Sequence, residues 1–232
     1  MRKAFTKGLS DGLPIGLGYF SVAFGFGIMA VGSGISAFFA WLISLTNLTS
    51  AGQAAGVEVI ANSGTLIEMA LTQLVINLRY SLMGFSLTQK LDSSFTTPKR
   101  ILLSFGITDE IYAVAVSQKG KLSASYMAGL IIIPVIGWTS GTLVGAIASQ
   151  LLPEVISNVM GILLYGMFIA VFVPAAKKSR PILTAVLMAI ACSVIFKYCL
   201  PFVSSGFAII LSALISSAIC AALFPIKEED NQ

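Results

Sequence analysis

The chain has 232 residues, of which 56% are hydrophobic and 10% are charged, and its formal net charge is +4. A soluble globular domain carries about 25% charged residues, so this composition excludes an ordinary soluble protein and predicts an all-α polytopic membrane protein. The sequence contains no histidine, which excludes histidine-based catalysis, histidine metal ligands and a histidine proton relay.

The hydrophobic pattern predicts about eight apolar segments in a single transmembrane domain at residues 13–225. A membrane-crossing helix needs about 20 apolar residues, and most of the segments reach that length. A basic cytoplasmic lead at 1–12 precedes this domain, and a polar tail follows at 226–232. The predicted segments are 13–33, 36–60, 65–88, 101–117, 124–148, 155–175, 181–200 and 204–225.

Segment 1 (13–33) is rich in glycine and begins with Pro14, which is followed by Gly16 and Gly18. Small residues allow membrane helices to approach closely, so close helix packing is one interpretation of this pattern. The alternative is a helix that breaks at these positions and offers backbone groups to a ligand, as the discontinuous helices of transporters do.

Segment 2 (36–60) is apolar in its first part and becomes polar from Thr46 onwards, where Gly52 and Gln53 follow. Polar groups at membrane depth persist only where they are buried in protein or line a cavity. We therefore predict a broken or re-entrant element here, with Gly52 near the break and Gln53 facing inward.

Segment 3 (65–88) carries one polar stripe, because Gln73, Asn77 and Tyr80 recur at helical spacing. Arg79 lies on a different face of the predicted helix, together with Glu68. These two residues are 11 positions apart, which is about 16 Å along a helix. Arg79 therefore needs a partner from another segment.

Segment 4 (101–117) is short and has Asp109 and Glu110 near its middle, and segment 7 (181–200) carries Lys197. An ionisable side chain at membrane depth costs about 3 kcal/mol or more unless it is paired or hydrated. Either acid can form an ion pair with Arg79, bind an ammonium group or carry a proton for coupling. The sequence leaves these roles open.

The basic loops give two alternatives for the topology. If all eight segments cross the membrane and the N-terminus is cytoplasmic, the loop at 89–100 falls outside, against the excess of Lys and Arg in cytoplasmic loops. If segments 2 and 4 are both re-entrant, every basic loop is cytoplasmic. Segments 2 and 4 are therefore the ones least expected to be plain helices.

A weak internal repeat predicts that the chain contains two duplicated halves, at about 13–90 and 130–208. Gly18-Tyr19-Phe20-Ser21 matches Gly137-Trp138-Thr139-Ser140 at an offset of 119, and Arg79-Tyr80-Ser81-Leu82 matches Lys197-Tyr198-Cys199-Leu200 at 118. Duplicated halves are common in transporters, and chance similarity between apolar stretches is the alternative.

The sequence lacks the signatures of metal sites, nucleotide sites and hydrolases, which predicts a protein that is not an enzyme and uses no metal or cofactor. Its intramembrane polar groups suit a small zwitterion instead. Arg79 or Lys197 can hold a carboxylate, and arginine does so through two parallel hydrogen bonds. The candidate substrate contacts are Gln53, Gln73, Asn77, Arg79 and Tyr80.

At several of these positions the chain resembles the AzlC family, the large subunit of branched-chain amino acid exporters. The resemblance covers nearly all of residues 8–176. Its most specific part is Asn77-Leu78-Arg79-Tyr80 followed about 30 residues later by Thr108-Asp109-Glu110. The weaker parts are Gly12-Leu13-Pro14-Ile15-Gly16, Ala23-Phe24-Gly25, and Gly137-Trp138 with the glycines that follow it.

The resemblance implies a multi-pass protein of the prokaryotic plasma membrane that exports hydrophobic amino acids together with a small membrane subunit of the AzlD type. From the residues we hypothesise alternating access around Arg79, Asn77 and Gln53, with both termini cytoplasmic. The alternative hypothesis is an assembly subunit that transports nothing and whose intramembrane polar residues only bind a partner.

Overall fold

The computed structural model of this chain describes residues 2–149, 151, 166, 169, 173–174 and 176–225. In these ranges the regular structure is helical, which confirms the all-α class, and a single isolated bridge joins Leu91 to Leu122. The helices are α1 (Arg2–Gly32), α2 (Ala37–Thr46), α3 (Ser50–Ala61), α4 (Leu66–Thr88), α5 (Thr97–Ser104), α6 (Asp109–Ser117), α7 (Ala124–Ala148), α8 (Arg180–Cys199) and α9 (Ser205–Leu223).

Four of these helices, α1, α7, α8 and α9, are long and apolar enough to cross a membrane. Helix α4 has 23 residues, which is about 34 Å, but it carries Glu68 and Arg79. Segments 5, 7 and 8 agree with α7, α8 and α9 to within two residues at each end. Segment 6 (155–175) and the tail (226–232) fall almost entirely outside the described residues, so the count of eight segments and the internal repeat stay predictions.

Helix α1 runs without interruption from Arg2 to Gly32 and contains Pro14 in its interior. The basic lead therefore forms the first turns of this helix, and the predicted break at Pro14, Gly16 and Gly18 is wrong. Membrane helices tolerate proline because neighbouring groups satisfy the freed backbone carbonyl. Gly16 is buried against Ile133 of α7, whereas Gly18 faces open space.

The chain divides into two compact units. The first unit comprises Met1–Val57 and Asn77–Leu164, and the second comprises Glu58–Ile76 and Tyr165–Gln232. The single transmembrane domain at 13–225 stays a prediction.

In the first unit, α1 and α7 pack side by side and run parallel, because successive positions of one helix meet successive positions of the other. Gly8 lies against Gly129 and Leu130, and Gly27 lies against Ala146. The seam between them is formed by glycines on both helices, namely Gly8, Gly12, Gly16 and Gly27 of α1 and Gly129, Gly137, Gly141 and Gly145 of α7. A side-chain carbon at any of these positions would meet the backbone or a side chain of the opposite helix, so the seam requires glycine.

The N-terminal ends of α1 and α7 meet two basic loops at one end of this unit. The loops pair through their backbones, because Asp92 N–H donates to Leu122 O at 2.9 Å and Leu122 N–H donates to Lys90 O at 2.7 Å. The Lys7 ammonium donates to Gln118 Oε1 at 2.5 Å, which brings α1 to the same place. This region, which we call the basic end, carries Arg2, Lys3, Lys7, Lys90, Lys99, Arg100, Lys119 and Lys121.

Segments 2 and 4 are both interrupted, as the polar residues of segment 2 and the distribution of the basic loops predicted. Segment 2 breaks at 47–49, between α2 and α3, and segment 4 breaks at 105–108, between α5 and α6. Since the loops before α5 and after α6 pair at the basic end, segment 4 enters and leaves the first unit at the same end. Asp109 and Glu110 therefore occupy the first turn of a short helix inside the unit, not the middle of a continuous one.

Candidate functional site

The Arg79 side chain of α4 forms an ion pair with Asp109 of α6, with 3.0 Å between Nη1 and Oδ2. Both side chains are 45% exposed, so the ion pair is partly buried and partly accessible from outside the protein. Arg79 Nη2 also donates to the Tyr80 hydroxyl at 3.3 Å, and the guanidinium lies 5.0 Å from the centre of the Tyr80 ring. The partner that Arg79 required is thus supplied by segment 4.

The two acids occupy the N-terminus of α6, where unpaired backbone N–H groups favour negative charge. Thr108 caps this helix, since its side chain accepts from the Ile111 N–H. The neighbouring carboxylate, Glu110, accepts a hydrogen bond from the Tyr19 hydroxyl of α1, and Tyr19 Oη lies 2.6 Å from Thr108 Oγ1. The break in segment 4 therefore gathers side chains from three helices.

Tyr19 also connects this break to the break in segment 2. Its ring meets the Trp138 ring of α7 edge to face, with 5.2 Å between centroids. Trp138 Nε1–H donates to Gln53 Oε1 at 2.8 Å, and Gln53 Nε2 donates to Ser44 Oγ at 2.8 Å. Ser44 lies 2.7 Å from the Thr142 hydroxyl. Leu48, at the break itself, packs with Tyr19 and Trp138.

These side chains form a series that we call the polar relay. Its steps are hydrogen bonds, one ion pair and one ring contact, and Asp109 is joined to Glu110 only as its neighbour in the chain. Its members come from α1, α2, α3, α4, α6 and α7, and all of these members belong to the first unit. At one end it is half exposed at Arg79 and Asp109, and at the other it is buried, since Gln53 is 1% exposed. The members of the polar relay are Arg79, Asp109, Glu110, Thr108, Tyr19, Trp138, Gln53, Ser44 and Thr142.

The predicted site residues divide between the two units. Gln53 faces inward as predicted, and Asn77, Arg79 and Tyr80 lie in the same unit. Gln73 belongs to the second unit, where its Nε2 lies 3.8 Å from Met69 Sδ. Gly52 is buried within α3, close to the break.

Lys197, the third member of the predicted ion-pair or coupling group, is exposed on α8 of the second unit. Its ammonium lies 5.9 Å from the centre of the Tyr198 ring, and it forms no ion pair with any described residue. Arg79 of the first unit has the matching contact with Tyr80, so both predicted repeat positions carry a cation over the ring of the next residue.

Sequence reasoning did not assign Tyr19 and Trp138 to the site. Both residues were visible as matched positions of the internal repeat, offset by 119, and that match was the available signal. The structure brings the two rings into contact. The Tyr19 hydroxyl donates to Glu110 at the break in segment 4, and Trp138 Nε1–H donates to Gln53 near the break in segment 2.

An apolar cavity of about 320 Å³ lies in the first unit near the basic end. Its walls include Leu87, Phe95, Ile101 and Met127, with Arg100 as the charged group. A zwitterion needs complementary groups for both of its charges, so the polar relay suits such a ligand better than this cavity does.

A sequence profile described as AzlC protein matches residues 14–152, which is more than half of the chain. The chain belongs to the AzlC family. This AzlC-family protein is 27% identical over 183 residues to the inner membrane protein YgaZ of Escherichia coli K12, covering 76% of this chain and 75% of that one. It is 32% identical over 148 residues to an uncharacterized membrane protein of Archaeoglobus fulgidus, covering 64% of each chain. No solved structure matches it.

The family match contains the polar relay, because residues 14–152 include every one of its members. The relatives are named as membrane proteins, in agreement with the four long apolar helices of this AzlC-family chain. The site offers a cation and two acids at the end of a short helix inside a membrane protein, and these groups can bind or exchange charged partners.

Proposed function

We propose that this AzlC-family protein is a secondary transporter that exports branched-chain or similar neutral amino acids across the prokaryotic plasma membrane by alternating access. The observation that carries the proposal is the half-exposed ion pair between Arg79 and Asp109. It lies where segment 4 is interrupted, and interrupted helices form the substrate sites of many transporters.

A zwitterionic amino acid can replace this ion pair without changing the net charge of the site. Its carboxylate would take the place of Asp109 on the Arg79 guanidinium, and its ammonium group would be bound by the released Asp109. Each charged side chain exchanges a protein partner for a substrate partner, so no charge is left unpaired during the exchange. The apolar side chain of the substrate would lie among the aromatic rings of Tyr19, Tyr80 and Trp138.

The orientation of the protein follows from the basic end. Eight of the 14 Lys and Arg residues belong to it, and cytoplasmic loops carry an excess of these residues. We propose that the basic end is cytoplasmic, together with the N-terminus of α1. On this proposal, segment 4 is re-entrant from the cytoplasmic side and its break is the innermost point of the entry path.

We also propose that a small membrane subunit of the AzlD type packs on this protein. The two spans α8 and α9 have exposed apolar side chains, among them Leu187, Ile190, Leu214 and Leu223. Lipid covers such surfaces equally well, so co-purification of the two subunits in detergent is the direct test of this part of the proposal.

The transport experiment uses purified protein reconstituted into liposomes loaded with radiolabelled leucine, with and without the small subunit. Arg79→Ala and Asp109→Asn should each weaken transport, because a hydrogen bond to a charged group contributes about 1.5–3 kcal/mol, or roughly 10- to 100-fold in affinity. Arg100→Gln is the matched control, since Arg100 is an exposed cation of α5 outside the polar relay. Wild-type rates in both site variants would refute the proposal.

The second candidate function is an assembly subunit that does not transport. One observation favours it: Arg79 and Gln53 already have protein partners, as expected for groups with a purely structural role. The same liposomes separate the two functions. Transport that requires only the small subunit and ignores substitutions at Arg79 would identify this chain as the assembly subunit.

A further inference from the structure

The second unit contains a buried carboxylate that the proposed site does not use. Glu68 is 3% exposed and lies in the first turn of α4, three residues after Thr65, whose hydroxyl accepts from the Glu68 N–H at 3.1 Å. Its carboxylate also reaches α9, where Oε1 accepts from the Ser204 hydroxyl at 2.6 Å and from the Gly206 N–H at 2.8 Å. Glu68 therefore caps the N-terminus of a second helix.

No described cation neutralises this carboxylate. In the described part of the second unit, the basic side chains of Lys177, Lys178, Arg180 and Lys197 are exposed, and none of them forms an ion pair with Glu68. A buried carboxylate without an ionic partner is costly unless hydrogen bonds or a proton compensate for the lost hydration.

Two buried hydroxyls of this region, on α4 and at the start of α9, have no hydrogen-bond partner in the described structure. Thr72 is fully buried, and its Oγ1 and the Ser205 Oγ are both unpartnered. Thr72 Oγ1 and Glu68 Oε1 border the same niche, because a side-chain carbon on Gly206 would lie 2.9 Å from the first and 2.6 Å from the second. Thr72 is one helical turn from Glu68 on the same face of α4.

The niche suits a proton better than a metal ion. The oxygen atoms that border it, Glu68 Oε1 and Thr72 Oγ1, are too few for a hard metal cation, which takes about six oxygen ligands, whereas a proton needs only one. The partial positive charge at the N-terminus of α9 favours the ionised carboxylate, so Glu68 is expected to bind a proton only in acid. A proton instead converts the carboxylate into a neutral acid whose O–H can donate to an unpartnered hydroxyl oxygen. The small space, which only glycine leaves open at position 206, excludes an organic ligand.

We propose that Glu68 is a proton-binding residue that holds the N-terminus of α9 when ionised and releases it when protonated. Protonation weakens Glu68 as the acceptor for the Gly206 N–H and the Ser204 hydroxyl, and it creates a donor for Thr72. Proton binding is thereby linked to the position of α9, since the ionised form favours the docked arrangement. Coupling of this proton binding to export rests on the proposed function. Proton binding by Glu68 itself does not depend on that function.

The other titratable groups on the elements around Glu68 are few. Helix α3 contributes Glu58, which is exposed, and α9 contributes only Cys220, far along the helix from Gly206. Helix α8, which packs against α9, contributes no carboxyl group; its titratable residues are Arg180, Cys192, Lys197, Tyr198 and Cys199. Within the second unit, α4 contributes no titratable group besides Glu68 itself. A pH response at the N-terminus of α9 is therefore assigned to Glu68.

Hydrogen exchange of the full-length protein in lipid nanodiscs tests the proposal. The amides at the start of α9 should exchange about tenfold faster or more in acid, after correction for intrinsic pH dependence, as the bond to a charged acceptor is lost. Glu68→Gln should abolish this response, because glutamine keeps an acceptor oxygen but does not titrate. Glu58→Gln, on the exposed end of α3, should respond like wild type. An unchanged response in Glu68→Gln overturns the proposal.

Two further arms keep the test decisive. Thr72→Val removes the proposed acceptor of the Glu68 proton, so the pH at which the α9 amides begin to exchange faster should fall. An unchanged pH would contradict a role of Thr72 in proton binding. Sodium chloride should protect α9 no better than choline chloride, and specific protection by sodium would overturn the choice of a proton.

In liposomes, Glu68→Gln should retain leucine exchange but lose its response to a pH gradient. Absence of transport by wild type would refute the proposed function and leave the exchange result standing.

Discussion

Arg79 Nη1 and Asp109 Oδ2 meet at 3.0 Å although the two residues belong to different helices, 30 positions apart in the chain. The ion pair fixes the N-terminal end of α6 against α4. It also makes the break in segment 4 the place where charge is concentrated in the first unit away from the basic end. We therefore expect substitutions around this break to have measurable effects, which the following experiments test.

The Arg79–Asp109 pair should show energetic coupling in a double-mutant cycle. Arg79→Gln and Asp109→Asn each leave one charge without its partner, while the double variant leaves none, so the double variant should be about 1 kcal/mol more stable than additivity predicts. Unfolding in a detergent titration measures the free energies. The pair Arg100→Gln and Asp109→Asn should be additive, and additivity at Arg79 as well would deny the ion pair any role in stability.

Trp138→Phe should destabilise the first unit by about 1–3 kcal/mol, because Gln53 Oε1 would lose its donor while remaining buried. The ring packing against Tyr19 is largely kept by phenylalanine, which isolates the effect of the hydrogen bond. The control is Trp41→Phe, since Trp41 is half-buried in α2 and packs near Phe38. Equal losses in thermal stability for the two tryptophan variants would contradict the assignment.

The glycine seam should reject even one added methyl group. Gly141→Ala and Gly145→Ala would place a carbon against the backbone of Phe20 and Phe24, and overpacking of this kind costs about 1–3 kcal/mol. Gly18→Ala faces open space on the same helix pair and should be neutral or slightly stabilising, since alanine is the better helix former. Thermal unfolding of the three variants measures these effects. A loss of stability in Gly18→Ala as large as in the other two would contradict the requirement for glycine in the seam.

The two ends of segment 4, at Lys99 and Lys121, should be accessible from the same side of the membrane. Lys99→Cys and Lys121→Cys, made in a background without Cys192, Cys199 and Cys220, should react with an impermeant maleimide only in inside-out vesicles. Labelling of one position in intact cells and of the other in inside-out vesicles would contradict a re-entrant segment 4. Labelling of both in intact cells would instead reverse the proposed orientation.

The loop of Asp92 should lose stability in acid. The Ser94 hydroxyl and then the Ser94 N–H donate to this carboxylate and hold the pKa of Asp92 below its ordinary value, and Ser94 Oγ in turn accepts from the Ala124 N–H at the start of α7. A lowered pKa in the folded state stabilises the fold at pH values above the ordinary value of about 3.9, and this stabilisation is lost as the pH falls from that value through the lowered pKa. Asp92→Asn should flatten the acid limb of a stability–pH curve. An unchanged acid limb would show that these hydrogen bonds do not contribute.

The sequence by itself predicted the elements and the chemistry of the membrane-embedded groups. Segment 5 was predicted at 124–148 and observed as Ala124–Ala148, because a long apolar run bounded by loops has one regular solution in lipid. The interruption of segment 2 and the inward position of Gln53 also followed from local polarity, and the positions of the basic loops marked segment 4 as an irregular element. The predicted break at Pro14 failed because local glycine and proline content does not distinguish a broken helix from a closely packed one.

Only the tertiary structure decided which polar groups meet. It paired Arg79 with Asp109, joined Tyr19 to Trp138 and Glu110, and directed Glu68 to the start of α9 rather than leaving it to serve α4 alone. A buried polar group must find a partner, but the sequence does not say which one, since partners come from positions 30 to 140 residues away. The need for pairing is local chemistry, whereas the choice of partner is made by the packing of whole helices.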